Sequence, residues 1–520
     1  MDLWVSLAVI LVLMLPLFLL VFALSSALLA KVFGDSNWIA AFTLLTFGFL
    51  GLLTVTAFGI VILHGPVNFT LLTLTWNSQP VPIFGLLADR VSLVIVLLVI
   101  TVSGVVHLYS LRAMGEEPQF RRYFFLLSLI TVEVLLVVLA NNLLMLAFFW
   151  VLKGFTLTFL LTHYNDRPAS WQAAFKKLRI DLVGDAAFLG ALVLTWHLFG
   201  TFELVTINAR ALEAPQSLPV AQTTLLTALL FVAIMAKSAQ FPLHGWLSGS
   251  VEAPTPVSAF MHAGLINAGG FLFIRLSPLF VATPFTMGLA LVIGSITAFY
   301  GTLVMLTRND VKGKLVYSTM GQMGFMIIEC GLGAFALATL HLIAHGLFKA
   351  TLFLNSGSAI QRKTFYEHIA GTYHPGATEG WLWTSRFLLA CSLAALLLLA
   401  GPGIFGWPVN GGTILLAFVW FTVIYALSEL GRLSLGVLLA GTAGFIFLYL
   451  VVTHEVETFF VTAVAPAPVV APTLVLVVGA GLGLVGLVGV LLKTKTWRPA
   501  WLDRFLTHLY VRVLFAGYGK

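Results

Sequence analysis

The stretch MAKSAQFPLHGW, residues 235–246, closes an apolar run that begins at Leu225 and reads LLTALLFVAI. A cation, Lys237, and a proline, Pro242, therefore stand where a membrane helix would be most apolar. Pro242 has no N–H to give to the carbonyl of Ser238, so the helix is expected to kink or break beside the lysine. Backbone groups freed at membrane depth must be satisfied by protein or by a water-filled cavity, and ion or substrate sites are commonly built at such breaks.

The rest of the chain fits this membrane reading. Its 520 residues are 60% hydrophobic and 9% charged, with a mean hydropathy of +1.03. That is too apolar for a soluble globular protein. The apolar run within residues 1–30 has no basic segment ahead of it and is long enough to span a bilayer, so it is expected to be a first transmembrane helix and not a cleaved signal. Cys330 and Cys391 lie in apolar runs without ligand spacing and read as packing residues. The net charge of +7 comes without a basic patch interleaved with aromatics, which argues against nucleic acid.

Runs of about 17–25 apolar residues mark fifteen expected helices. They are 4–30, 39–63, 92–111, 123–140, 142–162, 182–199, 222–243, 256–273, 286–306, 314–331, 334–356, 384–403, 412–428, 434–453 and 472–492. Twenty lysines and arginines fall in segments on the side reached after odd-numbered helices, against Arg90, Arg210 and Arg275 on the other side. By the positive-inside rule the N-terminus is expected in the periplasm and the C-terminus in the cytoplasm of a multi-pass inner-membrane protein.

Four basic residues remain inside the expected spans. Arg386 lies near a helix end and can snorkel to the interface. Lys153, Lys237 and Lys349 cannot all be explained that way. After the break come His244, a Pro-rich turn, and a helix carrying His262, near its start, and Asn267. Further on, His341, His345 and Lys349 stand at i, i+4 and i+8, which stacks them on one face over about 12 Å. A His-x-x-x-His pair can bind zinc, but no third ligand is apparent and the lysine one turn away repels a cation. Satisfied core histidines are the plain alternative. A proton-conducting file is favoured, because histidine titrates near neutrality and burial disfavours the charged form of lysine. Glu133, Asp181 and Asp185 are the candidate counterions, with Asp185 facing Lys153 or Lys237. A carboxylate beside a lysine keeps it protonated, and its withdrawal releases the proton. Glu329 reads as interfacial.

KSAQFPLHGWLSGSVEAPTPVSAFMHAGLINAGGFLFIR (237–275), NDVKGKLVYSTMGQMGFM (309–326) and HLIAHGLFKATLFLNSGSAI (341–360) together resemble the core of the antiporter-like subunits of respiratory complex I and of Mrp-type cation/proton antiporters. NNLLMLAFFW (141–150) extends the resemblance, which covers about residues 90–370. It implies an all-α polytopic fold with two inverted five-helix repeats, 123–273 and 286–428, after an N-terminal segment 1–122 and before a C-terminal segment 434–520. Each repeat would have a broken helix, the seventh at Pro242 and the twelfth at Gly401 and Pro402. The ion path would then use Lys237, His262, His341, His345 and Lys349.

Two departures narrow the expectation. The acid that usually follows the tryptophan of helix 5 is replaced by Val151 after Trp150, and Lys153 appears instead. Residues 387–428 contain no Asp, Glu, Lys, Arg or His, so the second break lacks its usual charge. The wording around MHAGLINAGGFLFIRLSPL (261–279) resembles a branch serving inorganic-carbon accumulation. For that branch the resemblance implies a zinc-dependent, carbonic-anhydrase-like partner that turns carbon dioxide into bicarbonate. This chain would hold no cofactor and would not itself be the enzyme. The competing expectations are a proton-pumping subunit of a quinone oxidoreductase or hydrogenase, a sodium/proton antiporter subunit, and a passive membrane anchor.

Overall fold

The computed structural model describes residues 3–32, 36–76, 79–358, 411–412, 415 and 435–466. Two compact units are present: 1–331 with 338–359 and 462–465, and 332–337 with 360–461 and 466–520. The expected helices 12, 13 and 15, with Gly401 and Pro402, lie outside the described residues.

The first unit opens with α1 (Leu3–Val32) and α2 (Ser36–His64). Strands β1 (Val67–Trp76) and β2 (Gln79–Ala88) then form an antiparallel hairpin that the hydropathy pattern did not mark. Helices α3 (Arg90–Ala113), α4 (Phe120–Leu139), α5 (Leu143–Leu161) and α6 (Pro168–Phe199) follow, then the short α7 (Leu204–Glu213) and α8 (Val220–Lys237). After the break come α9 (Thr255–Ala263), α10 (Ala268–Arg275), α11 (Ser277–Val281), α12 (Pro284–Thr307), α13 (Val311–Gly331) and α14 (Phe335–Asn355). In the second unit α15 (Leu435–Phe460) covers the expected fourteenth span.

Ten helical segments among the described residues are long and apolar enough to cross a membrane. Small residues bring them together: a Cβ on Gly301 would stand 2.6 Å from the backbone N of Gly321, and one on Gly324 would stand 2.4 Å from that of Ala298. The α12–α13 pair is therefore packed backbone to backbone, as helices are in lipid, where hydrophobicity alone does not drive association.

Three expectations need correction. Helix 6 begins at Pro168 instead of residue 182, because Pro suits the first turn of a helix. It then runs unbroken to Phe199, where Gly200 closes it at φ 63. Lys176, Lys177 and Arg179, placed in a loop by hydropathy, are thus helical. The expected span 256–273 is two helices separated at 264–267, so His262 lies at the end of α9 and not near the start of a span. Arg275 is not a loop charge. It is buried and forms a forked ion pair with Asp89, the N-cap of α3, with a further hydrogen bond to Ser92 Oγ at 2.5 Å.

Candidate ion-translocation site

Helix α8 ends at Lys237 itself, before Pro242, so the backbone leaves the helix at the lysine instead of bending at the proline. Ala239 takes φ 48, a left-handed conformation that costs a non-glycine residue roughly 1–2 kcal/mol. Side chains satisfy the freed backbone. Gln240 Nε2 donates to the Ser238 carbonyl at 3.0 Å, Trp246 Nε1 to that of Ala236 at 3.0 Å, and Thr297 Oγ1 accepts from Phe241 N at 3.0 Å. The carbonyl that Pro242 cannot serve is therefore taken by Gln240. Ser238 Oγ donates to the Ile266 carbonyl at 2.6 Å, joining this break to the one between α9 and α10.

Lys237 Nζ lies 3.1 Å from Asp181 Oδ2 and 3.1 Å from Asp185 Oδ1. The two acids are one turn apart on α6, so a single helix face presents both to the lysine. Asp181 Oδ2 is shared with Lys177 Nζ at 2.6 Å, and Lys177 also donates to the Gly154 carbonyl and, at 3.2 Å, to Thr158 Oγ1. Sequence reasoning missed Lys177. Its i, i+4 spacing to Asp181 was the available signal, hidden by assigning it to a loop. All four groups are buried, and charges in this setting persist only when paired.

Lys153 does not meet Asp185. Among the described residues no carboxylate oxygen comes within 4.0 Å of its Nζ, which lies 4.3 Å from the ring centroid of Trp150. It lines a cavity shared with Lys177, Asp181, Lys237 and Trp246. It also lines a second cavity, with about 20 Å³ of space open to water centres, that reaches Asn267 and Leu342 of α14. That is room for about one water. Glu133 is buried and accepts from Thr156 Oγ1 at 2.8 Å.

On α14, His341 Nδ1 meets Glu329 Oε2 at 2.9 Å and its Nε2 meets Gln322 Oε1 at 3.1 Å. Glu329 is therefore a buried partner and not the interfacial residue expected. The His345 ring is 6.0 Å from that of His341, and neither of its nitrogens has a hydrogen-bond partner among the described residues. Lys349 Nζ donates to Ser318 Oγ at 2.8 Å. His262 stacks on Phe353, one turn beyond Lys349, at 4.4 Å and meets Ser250 Oγ at 3.2 Å. The sequence-derived residues thus form two groups, Lys237 with its aspartates and the α14 file with His262, and Lys153 borders the space between them.

Gly154 shows how tight the first group is. A Cβ there would lie 2.9 Å from Lys237 Nζ and 3.0 Å from Asp181 Oδ2. Gly154→Ala is expected to push the pair apart and lower ion flux about tenfold, a change of ~1.4 kcal/mol in barrier. Flux in reconstituted vesicles, normalised to inserted protein, checks it.

Buried titratable residues beside the breaks after α8 and α9, on the facing α6 and along α14, inside a bundle of membrane spans, fit one class of protein, the antiporter-like membrane subunits. Comparisons with known proteins agree. The family described as NADH:quinone oxidoreductase/Mrp antiporter, TM matches residues 140–430. That described as NADH-ubiquinone oxidoreductase (complex I), chain 5 N-terminus matches residues 81–124. The fold is similar to a chain in the structure of the Mrp complex from Dietzia sp., with a TM-score of 0.62 at 23% identity over 96% of this chain and 60% of that one. The chain belongs to the NADH:quinone oxidoreductase/Mrp antiporter family.

Within that family it is similar to inorganic carbon transporter subunits of the DabB type. It is 39% identical over 407 residues to the probable inorganic carbon transporter subunit DabB1 of Halothiobacillus neapolitanus, covering 74% of this chain and 72% of the relative. Identity to the probable subunit DabB of Hydrogenovibrio crunogenus is 38% over 297 residues, 56% of each chain. NADH-quinone oxidoreductase subunit L of Mycobacterium tuberculosis is 36% identical over 283 residues, 53% of this chain and 44% of the relative.

Proposed function

We propose that this chain is a cation-translocating membrane subunit, with the proton as its ion. It would couple an ion gradient to inorganic-carbon uptake by a DabA-like, zinc-containing partner, soluble or peripheral, that hydrates carbon dioxide to bicarbonate. The supporting observation is Lys237, held at a helix break between Asp181 and Asp185 while Lys177 competes for Asp181. As Asp181 swings toward Lys177, Lys237 keeps Asp185 alone and its proton becomes easier to release. The reverse swing favours reloading. Lys153, Glu133 and the water-sized cavity are the continuation toward His262, His345, Lys349 and His341. The carbon-uptake half of the reading is supported by the names of the relatives. The excess of basic residues on one side supports a cytoplasmic C-terminus in a bacterial inner membrane.

Purification of the native complex tests the reading. A co-purifying zinc protein is expected, with bicarbonate accumulation that stops when a protonophore collapses the proton gradient and continues when only sodium is dissipated. The similarity to NADH-quinone oxidoreductase subunit L favours a second reading, a redox-driven proton pump. Co-purifying flavin or iron–sulfur subunits would establish it, and sodium dependence would point to antiport instead.

A further inference from the structure

Asn267 closes the short turn, 265–267, between α9 and α10, and the backbone there explains the need for a polar side chain. In an unbroken helix Asn267 N would donate to the Ala263 carbonyl, four residues back. It donates to Gly264 O instead, at 3.2 Å, which turns the backbone donor away from Ala263. The side chain takes over, with Nδ2 donating to the Ala263 carbonyl at 2.8 Å. That same carbonyl faces α14, where a Cβ on Gly346 would stand 2.8 Å from it.

This contact also fixes which way the amide points. A carbonyl only accepts, so the nitrogen is the atom that faces Ala263, and Oδ1 is left as a pure acceptor. Asn267 is 2% exposed, and its Oδ1 has no hydrogen-bond partner among the described residues. A serine or threonine at this position would also serve a carbonyl four residues back. The asparagine therefore brings a buried acceptor that the turn itself does not use, and an unmet buried acceptor is destabilising.

A complementary group borders the same space. Asn267 and Lys153 both line the water-sized cavity, and every other side chain around it is apolar. Lys153 and Leu265 are the two residues that this cavity shares with the charged one holding Lys177, Asp181 and Lys237. No carboxylate oxygen comes within 4.0 Å of Lys153 Nζ among the described residues. A group that only donates and a group that only accepts thus stand on one small, otherwise apolar cavity. A buried water needs two to four polar partners, and these supply two.

We propose that Lys153 Nζ and Asn267 Oδ1 are the two ends of a site for a single water, through which Asn267 positions Lys153 on the ion path. The water site rests on the geometry alone. Its effect on transport rests on the reading that the chain conducts protons. The lysine ammonium donates to the water oxygen, and the water donates one hydrogen to Oδ1. Beside a neutral lysine the water keeps that bond and turns its second hydrogen to Nζ. Asn267 therefore holds the water in both charge states, and Lys153 has a fixed partner on the side away from the aspartates.

Cryo-electron microscopy of the native complex in lipid nanodiscs, at a resolution that shows ordered water, tests the site. Wild type is expected to carry one water bonded to both Lys153 and Asn267, and Asn267→Ser is expected to lose it. Serine keeps a donor for the Ala263 carbonyl while withdrawing the acceptor from the cavity, so yield and thermal unfolding are expected to stay at wild-type values. No water in wild type overturns the site, and so does a water that persists in Asn267→Ser. Positioning is tested by proton flux into vesicles containing a pH-sensitive dye, measured across pH. Asn267→Ser is expected to lower flux about tenfold and to move the pH of half-maximal flux by about half a unit or more. The charged groups around Lys153 are unchanged by the substitution: Glu133 of α4, Lys177, Asp181 and Asp185 of α6, and Lys237 of α8. Wild-type flux overturns the positioning role, as does a loss that scales the profile without moving it. Lys237→Arg, run in parallel, separates this role from the wider reading. If it is inert while Asn267→Ser conducts like wild type, positioning alone fails. If it conducts protons normally, the proton reading and the positioning role fail together, and the microscopy still decides the water site.

Discussion

Lys237→Arg is expected to leave the protein folded and assembled while ion movement falls by ~100-fold or more. The guanidinium keeps a positive charge between Asp181 and Asp185, each now 3.1 Å from the lysine nitrogen. It also holds its proton at every accessible pH. A site that only needed charge neutralisation would tolerate the exchange, whereas one that must release a proton would not. Lys237→Ala is the contrasting case. It leaves Asp185 buried without a cation, and breaking a buried pair from one side costs about 3–5 kcal/mol. Loss of protein and loss of flux are then expected together. Comparing flux per inserted molecule in the two variants separates a conducting lysine from a passive anchor, since an anchor would lose nothing in Lys237→Arg.

Asp89→Ala is expected to be the most destabilising single change outside the ion site. It strands the Arg275 guanidinium, whose side chain is 3% exposed. It also removes the Asp89 Oδ1 bond to Ser92 N that caps α3 at 2.7 Å. The stranded charge costs about 3–5 kcal/mol and the lost cap about 1 kcal/mol. Thermal unfolding in lipid nanodiscs would show this as a large downward shift. The double variant Asp89→Leu with Arg275→Met, which removes both charges, is expected to recover most of the loss. If the single and double variants unfold alike, the ion pair is not what holds α3 to α10.

Hydropathy located ten of the expected spans among the described residues because a membrane span is read from length and apolarity, and both are local properties. It failed where a charge is neutralised by a distant partner. Arg275 looks like a loop residue until Asp89, 186 positions away, is placed beside it. Lys177 looks like one of a basic loop cluster until α6 is seen to begin at Pro168 and carry it into the bundle. Glu329 falls at the end of its span, and only the approach of α14 makes it a buried partner of His341. The hairpin was invisible for another reason. Its polar links, Asn141 Nδ2 to Asn68 Oδ1 and Thr70 Oγ1 at 3.0 Å each, are formed with a residue beyond two further helices. The placement of Lys237, Asp181 and Asp185 was legible because a break signal and paired acids at helical spacing are written into the chain. Which lysine the acids would face was not.

The hydroxyl of Ser238 has a mechanical consequence. It ties the end of α8 to the Ile266 carbonyl, and the neighbouring Gly269 is so close that a Cβ there would stand 2.3 Å from Ser238 Oγ. The two interruptions are thus not separate hinges but one joint with a single pin. On the proposed reading, a movement that begins when a proton leaves Lys237 is not expected to stay on α8. It is expected to be passed to the segment that follows His262, so events at Lys237 and at His262 are expected to be geared together.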